Sequence, residues 1–280
     1  MRTFAPLFLV LAACASAQVR PTPSDSTSTV IPASEVQWEQ LNPARGDASP
    51  MAATLWGDRN GTEPTGFLFH PVDGFESPPH AHNVSYRGVV IRGLVHNADP
   101  KAEKKWMPAG SFWTQPRGGV HITAARGNDV LAYIEIDEGP YLVLPVEKAF
   151  ESEEQPVNTD ESNIDWTSAP HMLSLATGIE VAVLWGNPLD AEPSGSLVRL
   201  PAGFVGTMRP DGPSFRAVVI LGPLEHSVTG ETNRAALDPG SYFSSQGDSV
   251  HEVACEAEGA CVVYVRAEGT FDVAARDGAR

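Results

Sequence analysis

An internal repeat constrains the fold of this chain more than any other feature of its sequence. Four short stretches occur in the same order in both halves, and each second copy follows its first by about 130 residues. A repeat of this length can hold a complete small domain, so the sequence predicts two similar domains. The paired stretches are ATLWG (53–57) with AVLWG (182–186), EPTGFLF (63–69) with EPSGSLV (192–198), RGVVIRGLVH (87–96) with RAVVILGPLEH (216–226), and PAGSFW (108–113) with DPGSYF (238–243).

Short apolar runs separated by turn residues continue through both repeats from Trp38 onward. Runs of this length, bounded by Gly, Pro, Asn and Asp, are typical of strands, and no long stretch keeps a helical period. The sequence therefore predicts an all-β protein. Trp38 and Trp166 begin the two units at matching places, so we expect each unit to open with an arm that packs on its own barrel or on its neighbour's.

Changes in composition predict the limits of the domains. Residues 18–35 are rich in Ser, Thr and Pro, and we interpret them as a flexible linker because they cannot bury a core. An acidic segment joins the two repeats. The predicted organisation is a signal peptide (1–17), the Ser/Thr/Pro linker (18–35), a first barrel (36–146), the acidic linker (147–163), a second barrel (164–273) and a tail (274–280).

Residues 1–17 have the make-up of an export signal, with an arginine, an apolar run too short to span a bilayer, and then small residues. Two cleavage sites fit this segment. The stretch LAAC (11–14) resembles the lipobox of bacterial lipoproteins, in which Cys14 would be lipidated, whereas ASA (15–17) is an ordinary small-residue site. With either site we expect an exported protein of the periplasm or outer surface, and the lipobox would give it a lipid anchor.

The remaining cysteines, Cys255 and Cys261, flank a short segment that reads as a hairpin turn. A turn of this length could bring their side chains within bridging distance, and an exported protein permits a disulfide. The alternative is that both are small buried apolar side chains. The sequence leaves the two interpretations open.

The formal net charge of −16 bears on the partners of the protein. An acidic surface repels nucleic acid and anionic lipid headgroups alike, so neither is expected as a partner. Contact with a membrane is expected only through the N-terminal lipid anchor.

The stretch GFESPPHAHNVSYRGVVIRG (74–93) predicts a metal site. Alternate residues of a strand share a face, so His80 and His82 point the same way, and Tyr86 joins them if the strand is unbroken. His121, on a later strand, supplies a third imidazole. Three histidines suit a divalent metal ion and leave coordination positions open for water or substrate.

These residues resemble the cupin superfamily. Its first motif, G-x5-H-x-H-x3-E-x6-G, is met with Tyr86 in place of the glutamate, and its second, G-x5-P-x-G-x2-H-x3-N, is met with Ala125 in place of the asparagine. The matching residues of the first motif are Gly74, His80, His82 and Gly93, and those of the second are Gly110, Pro116, Gly118 and His121.

The resemblance implies two tandem cupin β-barrels related to the jelly roll, over about residues 36–273. The chain is similar to bacterial bicupins of unassigned function, and more distantly to the cupin domain of ChrR-type anti-sigma factors. Its implied cofactor is one divalent metal ion, with zinc, iron and manganese as the leading candidates. Cupins often pair through barrel edges, so a homodimer is one expectation, although two fused barrels could already satisfy that need.

Two further residues are candidates for the site. Tyr86 could bind the metal as a fourth ligand, or stay neutral, orient a bound water or substrate and give up a proton; we favour the neutral phenol. Glu76 could serve as a further ligand or general base, although a solvated loop carboxylate is the simpler interpretation.

The second repeat has a different residue set at the same places. By sequence alignment it has Arg209 for His80, Asp211 for His82, Phe215 for Tyr86, and His251 for His121. An arginine on this face would repel a divalent ion, and with Asp211 and His251 it could form a buried network in place of the metal. We therefore expect only the first barrel to bind metal.

These observations predict an exported bicupin with a mononuclear metal, acting as an enzyme on a small polar organic molecule. Oxygenase, isomerase and lyase chemistry all remain open, because the site leaves room for each. The alternative is a non-catalytic protein that binds or senses a metal or a small ligand at the cell envelope. Both have a small-molecule partner.

Overall fold

The computed structural model describes residues 27–167, 175–247 and 249–276. Within these residues the regular secondary structure is almost wholly β-strand, with short 3-10 helices at Pro43–Ala48, Val146–Lys148 and Glu161–Asn163. The prediction of an all-β fold is therefore confirmed. No helix in the described part of the chain is both long and apolar enough to cross a membrane. The signal peptide interpretation, with Cys14, falls outside the described residues, as does most of the segment 274–280.

The strands follow the repeat. Those of the first half are β1 (Thr27–Ile31), β2 (Glu39–Gln40), β3 (Met51–Trp56), β4 (Thr65–His70), β5 (Ala81–His82), β6 (Tyr86–Ala98), β7 (Phe112–Gln115), β8 (Ile122–Ile136) and β9 (Val143–Leu144). Those of the second half are β10 (Val157–Thr159), β11 (Glu180–Trp185), β12 (Pro193–Leu200), β13 (Val205–Leu221), β14 (Leu224–Val228), β15 (Ala235–Leu237), β16 (Tyr242–Gln246), β17 (His251–Cys255) and β18 (Cys261–Ala275).

Two antiparallel sheets form the two barrels. The first has the strand order β10, β7, β6, β8, β4, β3, β2, and β5 pairs separately with β9. The second has the order β11, β12, β18, β13, β17, β14, β15, with β16 joined to both β13 and β1. The long strands β6 and β8 therefore occupy the middle of the first sheet, and β13 and β18 occupy the middle of the second.

Gly93, the last glycine of the first motif, marks a bend in β6. The strand shifts register against β8 between Arg92 and Leu94, on either side of this glycine. Gly93 has a φ of 73°, and a Cβ there would lie 2.7 Å from a methyl carbon of Val130. Only glycine meets both conditions without strain, which explains its place in the motif.

The N-terminal arms are exchanged between the barrels. Strand β1 pairs with β16 of the second barrel, and β10 pairs with β7 of the first, so each arm adds a strand to the neighbouring barrel. This corrects the flexible linker interpretation for residues 27–31. The reason is that Thr27–Ile31 is rich in β-branched residues, which fit an extended edge strand better than a spacer.

A shared apolar layer holds the barrels together. Buried side chains of both units form one cluster, which includes Leu55, Leu68, Val89, Ile91 and Tyr133 from the first and Leu197, Val218, Ile220, Val262 and Tyr264 from the second. Such a layer buries the apolar outer face that each sheet would otherwise expose. The two barrels thus share part of their core.

A buried ionic network lies within this interface. Glu135 is only 1% exposed, and it accepts hydrogen bonds from the Tyr133 hydroxyl at 3.0 Å and the Tyr264 hydroxyl at 2.7 Å. Arg266 donates to the same carboxylate at 3.2 Å and to Asp137 at 2.8 Å. A carboxylate this deeply buried costs stability unless partners of this kind hydrogen-bond to it.

Cys255 and Cys261 form a disulfide between the end of β17 and the start of β18, with their Cα atoms 5.8 Å apart. Both side chains are also buried against the core of the second barrel. The structure therefore contains features of both sequence interpretations, a bond between the sulfurs and an apolar environment around it.

Candidate metal centre

The histidines His80, His82 and His121 meet in the first barrel. His82 lies on β5, whereas His80 and His121 lie directly before β5 and β8. The backbone N–H groups of His80 and His121 donate to each other's carbonyls at 3.1 and 2.9 Å, which fixes the two strands against each other. The ligand nitrogens lie within 4.8 Å of one another, and no other group of His, Cys, Asp or Glu in the described residues meets this criterion.

Backbone carbonyls orient all three rings. Each Nδ1 lies at hydrogen-bond distance from a carbonyl oxygen, which only accepts, so each Nδ1 carries the proton and each Nε2 offers its lone pair. A metal-binding histidine is held in the same way by a partner on its other nitrogen. The acceptors are Pro78 for His80 at 2.9 Å, Leu142 for His82 at 2.9 Å, and Gly119 for His121 at 3.1 Å.

The three imidazoles are neutral at physiological pH. Burial lowers the pKa of His80 below its ordinary value and that of His82 well below it. Burial, together with the repulsion that would arise between His80 and His121 if both were protonated, lowers the pKa of His121 to about 3. Neutral imidazoles are the form that binds a metal ion, so the protonation state fits the geometry.

The phenol of Tyr86 lies beside the histidines, but no unbroken strand brings it there, because β5 ends at His82 and β6 begins at Tyr86. Its oxygen is 3.3 Å from Nε2 of His121, and its hydroxyl donates to Oδ1 of Asn97 at 2.8 Å. Burial raises the pKa of Tyr86 above its ordinary value. The phenol is therefore neutral, and with its proton directed at Asn97 it presents oxygen lone pairs to the site.

The amide of Asn97 is itself fixed by a chain of hydrogen bonds. Its Oδ1 also accepts from the Thr123 hydroxyl at 2.8 Å, and its Nδ2 donates to Gln115 at 3.0 Å. Gln115 in turn donates to the carbonyl of Gly119 at 3.1 Å, the same oxygen that orients His121. These hydrogen bonds connect Tyr86, on one side of the site, with the carbonyl that orients His121 on the other. Because they hold Oδ1 of Asn97 in place as the acceptor, the Tyr86 proton points away from the position of the metal.

Tyr141 is a residue of this site that sequence reasoning missed. Its ring stacks on His82 with a centroid distance of 4.4 Å, and its hydroxyl lies 3.3 Å from Nε2 of that histidine. Burial raises the pKa of Tyr141 well above its ordinary value. The signal was in the repeat: Tyr86 and Tyr141 meet edge to face at 5.8 Å, as Phe215 and Phe271 do at 6.1 Å in the second barrel.

Glu76 does not take part in this site. Its backbone bridges to Ala124, but its side chain is half exposed and forms an ion pair with Lys104 on the surface. The interpretation of Glu76 as a ligand or general base is therefore wrong, and the simpler interpretation as a solvated carboxylate holds. The side chain of Glu76 faces the surface, whereas that of its neighbour Phe75 is buried and lines the cavity.

A cavity of about 130 Å³ opens onto the histidines. Its wall is largely apolar, and among the described side chains that line it Arg45 is the one that is charged at neutral pH. The guanidinium carbon of Arg45 lies 5.2 Å from the centre of the Phe75 ring. The lining includes Leu41, Pro50, Phe69, Phe75, Trp113, Ile134, Tyr141 and Val143.

The second barrel corrects the residue matching made from sequence. Met208, and not Arg209, pairs with His251 in the way that His80 pairs with His121. Arg209 and Asp211 are exposed, so they form no buried network with His251.

A β-bulge explains why Arg209 and Asp211 face solvent whereas His80 and His82 face the interior. β13 has one more residue than β18 between Asp211 and Ser214, where the ladder shifts register. Phe215 then follows Met208 by seven positions, whereas Tyr86 follows His80 by six. A shift of one residue sends every side chain to the opposite face.

Apolar packing fills the interior of the second barrel. Met208, Phe215, Phe243 and Phe271 are all at most 1% exposed. His251 stacks on Phe215 and shares hydrogen bonds of 3.0 Å with His226 and with the Ser245 hydroxyl. The histidine that matches His121 thus has structural partners on both ring nitrogens.

Comparison with known proteins gives a family and a fold. The family model described as a domain of unknown function, DUF4437, matches residues 29–274. No curated protein matches the sequence. The solved structures that resemble this one do so at low sequence identity, which supports a shared fold and not a shared activity.

Three solved structures illustrate this likeness. Salicylate 1,2-dioxygenase from Pseudoaminobacter salicylatoxidans, in adducts with gentisate, has a TM-score of 0.56 at 14% identity, over 88% of this chain and 82% of the other. Oxalate decarboxylase from Lactobacillus farciminis, in complex with formate, has a TM-score of 0.57 at 9% identity, over 90% and 89%. The protein Ylba from E. coli, of the DUF861 family, has a TM-score of 0.56 at 11% identity, over 86% and 90%.

Proposed function

The chain belongs to the DUF4437 family and has the cupin fold, and we propose that its first barrel holds one divalent metal ion on His80, His82 and His121. One observation carries this proposal: backbone carbonyls hold the Nδ1 proton of each ring, so three neutral Nε2 lone pairs are available beside a cavity. Orienting three buried imidazoles in this way serves no evident packing purpose, but it suits a metal.

We propose further that the site is that of an enzyme acting on a small polar organic molecule. A metal on three neutral ligands would polarise a carbonyl or carboxylate group placed in an open coordination position. The fold is shared with a named dioxygenase and a named decarboxylase, which supports small-molecule chemistry without selecting a reaction.

The two phenols would have different roles. Tyr86 has its proton engaged by Asn97, so its oxygen would accept a hydrogen bond or contact the metal. Among the described residues the hydroxyl of Tyr141 has no hydrogen-bond partner except His82, so it would donate to a ligand once the metal occupies that nitrogen. The raised pKa of both phenols keeps these protons in place at neutral pH.

A non-catalytic binding protein is the second candidate. It is favoured by one feature of the cavity: no carboxylate is among the described side chains that line it, so no acidic general base faces the ligand. The more distant resemblance to ChrR-type anti-sigma factors, which would suit a sensor, stays a prediction.

The metal proposal is tested by purifying the protein without added metal and measuring metal content by elemental analysis. We expect about one equivalent of zinc, iron or manganese per chain in the wild type and almost none in His82→Ala, which removes one of three ligands. His70→Ala is the matched control, because His70 also donates to a backbone carbonyl, that of Val130, but lies outside the cluster. Equal metal content in wild type and His82→Ala would overturn the proposal.

Turnover separates the two candidate functions. Oxygen uptake or product formation with iron-loaded or manganese-loaded protein would support an enzyme, and its loss in His82→Ala but not in His70→Ala would assign it to this site. Tightly held zinc without turnover would support the binding protein.

We propose that the protein is exported and lipid-anchored at Cys14. The apolar run that ends at this cysteine supports the proposal. Membrane fractionation tests it: the wild type should sediment with membranes, and Cys14→Ser should be released or remain unprocessed. Wild-type protein that is recovered without a lipid on its N-terminus would contradict it.

A further inference from the structure

Arg45 places an uncompensated positive charge at the cavity. It lies in the 3-10 segment Pro43–Ala48, is partly buried, and lines the same cavity as His80 and His82. It forms no ion pair with any described carboxylate. Its contact with Phe75 orients the guanidinium over a ring face but leaves its N–H donors free for a ligand.

No other described side chain that lines the cavity offsets the charge of Arg45, because no carboxylate is among them. A bound divalent ion would add two more positive charges. The chain as a whole has a net charge of −16 and therefore repels anions at long range, so attraction of an anion must come from local groups of this kind.

The size and lining of the cavity limit the ligand further. A volume of about 130 Å³ corresponds to roughly four water molecules at about 30 Å³ each, so it admits only a small ligand. The rest of the lining is mostly apolar and includes Phe69 and Ile134. An apolar body with one anionic group matches such a cavity better than a polyanion or a sugar does.

We propose that the cavity binds a small organic carboxylate, whose carboxylate group is held by Arg45 and whose apolar body lies against Phe69, Phe75 and Ile134. The inference deepens the proposed function and rests on it, because the remaining part of the ligand would face the metal held by the histidines. A guanidinium suits this role since it can donate two parallel hydrogen bonds to one carboxylate.

The test is a binding measurement on zinc-loaded protein, in which no redox turnover interferes. Isothermal titration with benzoate, phenylacetate and hexanoate is compared with titration by benzamide, phenylacetamide and hexanamide, which have nearly the same shape and no charge. We expect at least one carboxylate to bind about tenfold or more tightly than its amide, the difference expected for a charge-assisted hydrogen bond. No preference in any pair would overturn the inference.

Variants assign the preference to Arg45. Arg45→Met should remove most of this preference without changing the zinc content, and Arg45→Lys should keep part of it. Arg126→Met is the matched control, because Arg126 also stacks on an aromatic ring, that of Trp106 at 4.4 Å, but does not line the cavity. An unchanged preference in Arg45→Met would overturn the inference.

The same titrations distinguish failure of this inference from failure of the metal proposal. If the wild type binds zinc but shows no carboxylate preference, the inference falls and the metal site stands. If the wild type binds no zinc, the metal proposal falls, and the titrations are repeated on metal-free protein. If the metal-free protein prefers carboxylates to amides and Arg45→Met loses this preference, the carboxylate site is supported. If the metal-free protein shows no such preference, the carboxylate inference is overturned together with the metal proposal.

Discussion

The two barrels share one frame of paired strands, but their interiors differ. Opposite His121 the first barrel has His80 beside a cavity, whereas opposite His251 the second has Met208 in packed apolar surroundings. The second barrel therefore shows that the frame does not require a cluster of three imidazoles. Because buried polar groups cost stability unless they are paired, the cluster in the first barrel indicates a functional site and not a requirement of folding.

The largest expected effect is a loss of metal on substitution of His121, which the matching substitution of His251 should not cause. His121→Ala should reduce the metal content from about one equivalent to nearly none. His251→Ala should leave metal content unchanged but lower the free energy of unfolding by about 2 kcal/mol, because it removes a buried ring and two hydrogen bonds. Elemental analysis and urea unfolding measure the two effects. Metal loss in His251→Ala would show that the barrels do not divide these roles.

The two barrels also contribute opposite charges to their interface, Glu135 from the first and Arg266 from the second. Glu135→Leu should lower the free energy of unfolding by about 3 kcal/mol, because Arg266 then keeps only Asp137 as a charged partner. Adding Arg266→Met should recover part of the loss.

Urea unfolding measures this effect, with Glu180→Leu as the control. Glu180 pairs with Arg199 at a half-exposed position, where loss of an ion pair costs less than about 1 kcal/mol. An equal effect of Glu135→Leu and Glu180→Leu would mean that the buried network does not hold the barrels together.

The smallest effect concerns the phenols. Tyr86→Phe should keep the metal and lower the free energy of unfolding by about 1 kcal/mol, since Asn97 loses one of its two donors. The reverse change, Phe215→Tyr, should lower the free energy of unfolding at least as much, because its hydroxyl would enter apolar packing. It should add no metal to the second barrel. Metal analysis and thermal unfolding of both variants check this. Loss of metal in Tyr86→Phe would instead make Tyr86 a required ligand.

Local spacing was sufficient to predict the three histidines. His80 and His82 share a face because side chains alternate along a strand, and fixed turns between strands bring His121 opposite them. The same reasoning failed for Arg209 and Asp211. An ungapped alignment could not reveal the bulge in β13, and a shift of one residue is enough to turn both side chains outward.

By itself, the sequence determined the all-β fold, the two similar units and the histidine cluster, because strand period, repeat length and motif spacing are all local properties. The tertiary structure alone decided that β1 joins the second barrel and that Tyr141 and Arg45 line the site of the first. These residues come from an arm and from loops with no pattern of their own. Their positions depend on contacts between segments far apart in the chain, which no local spacing encodes.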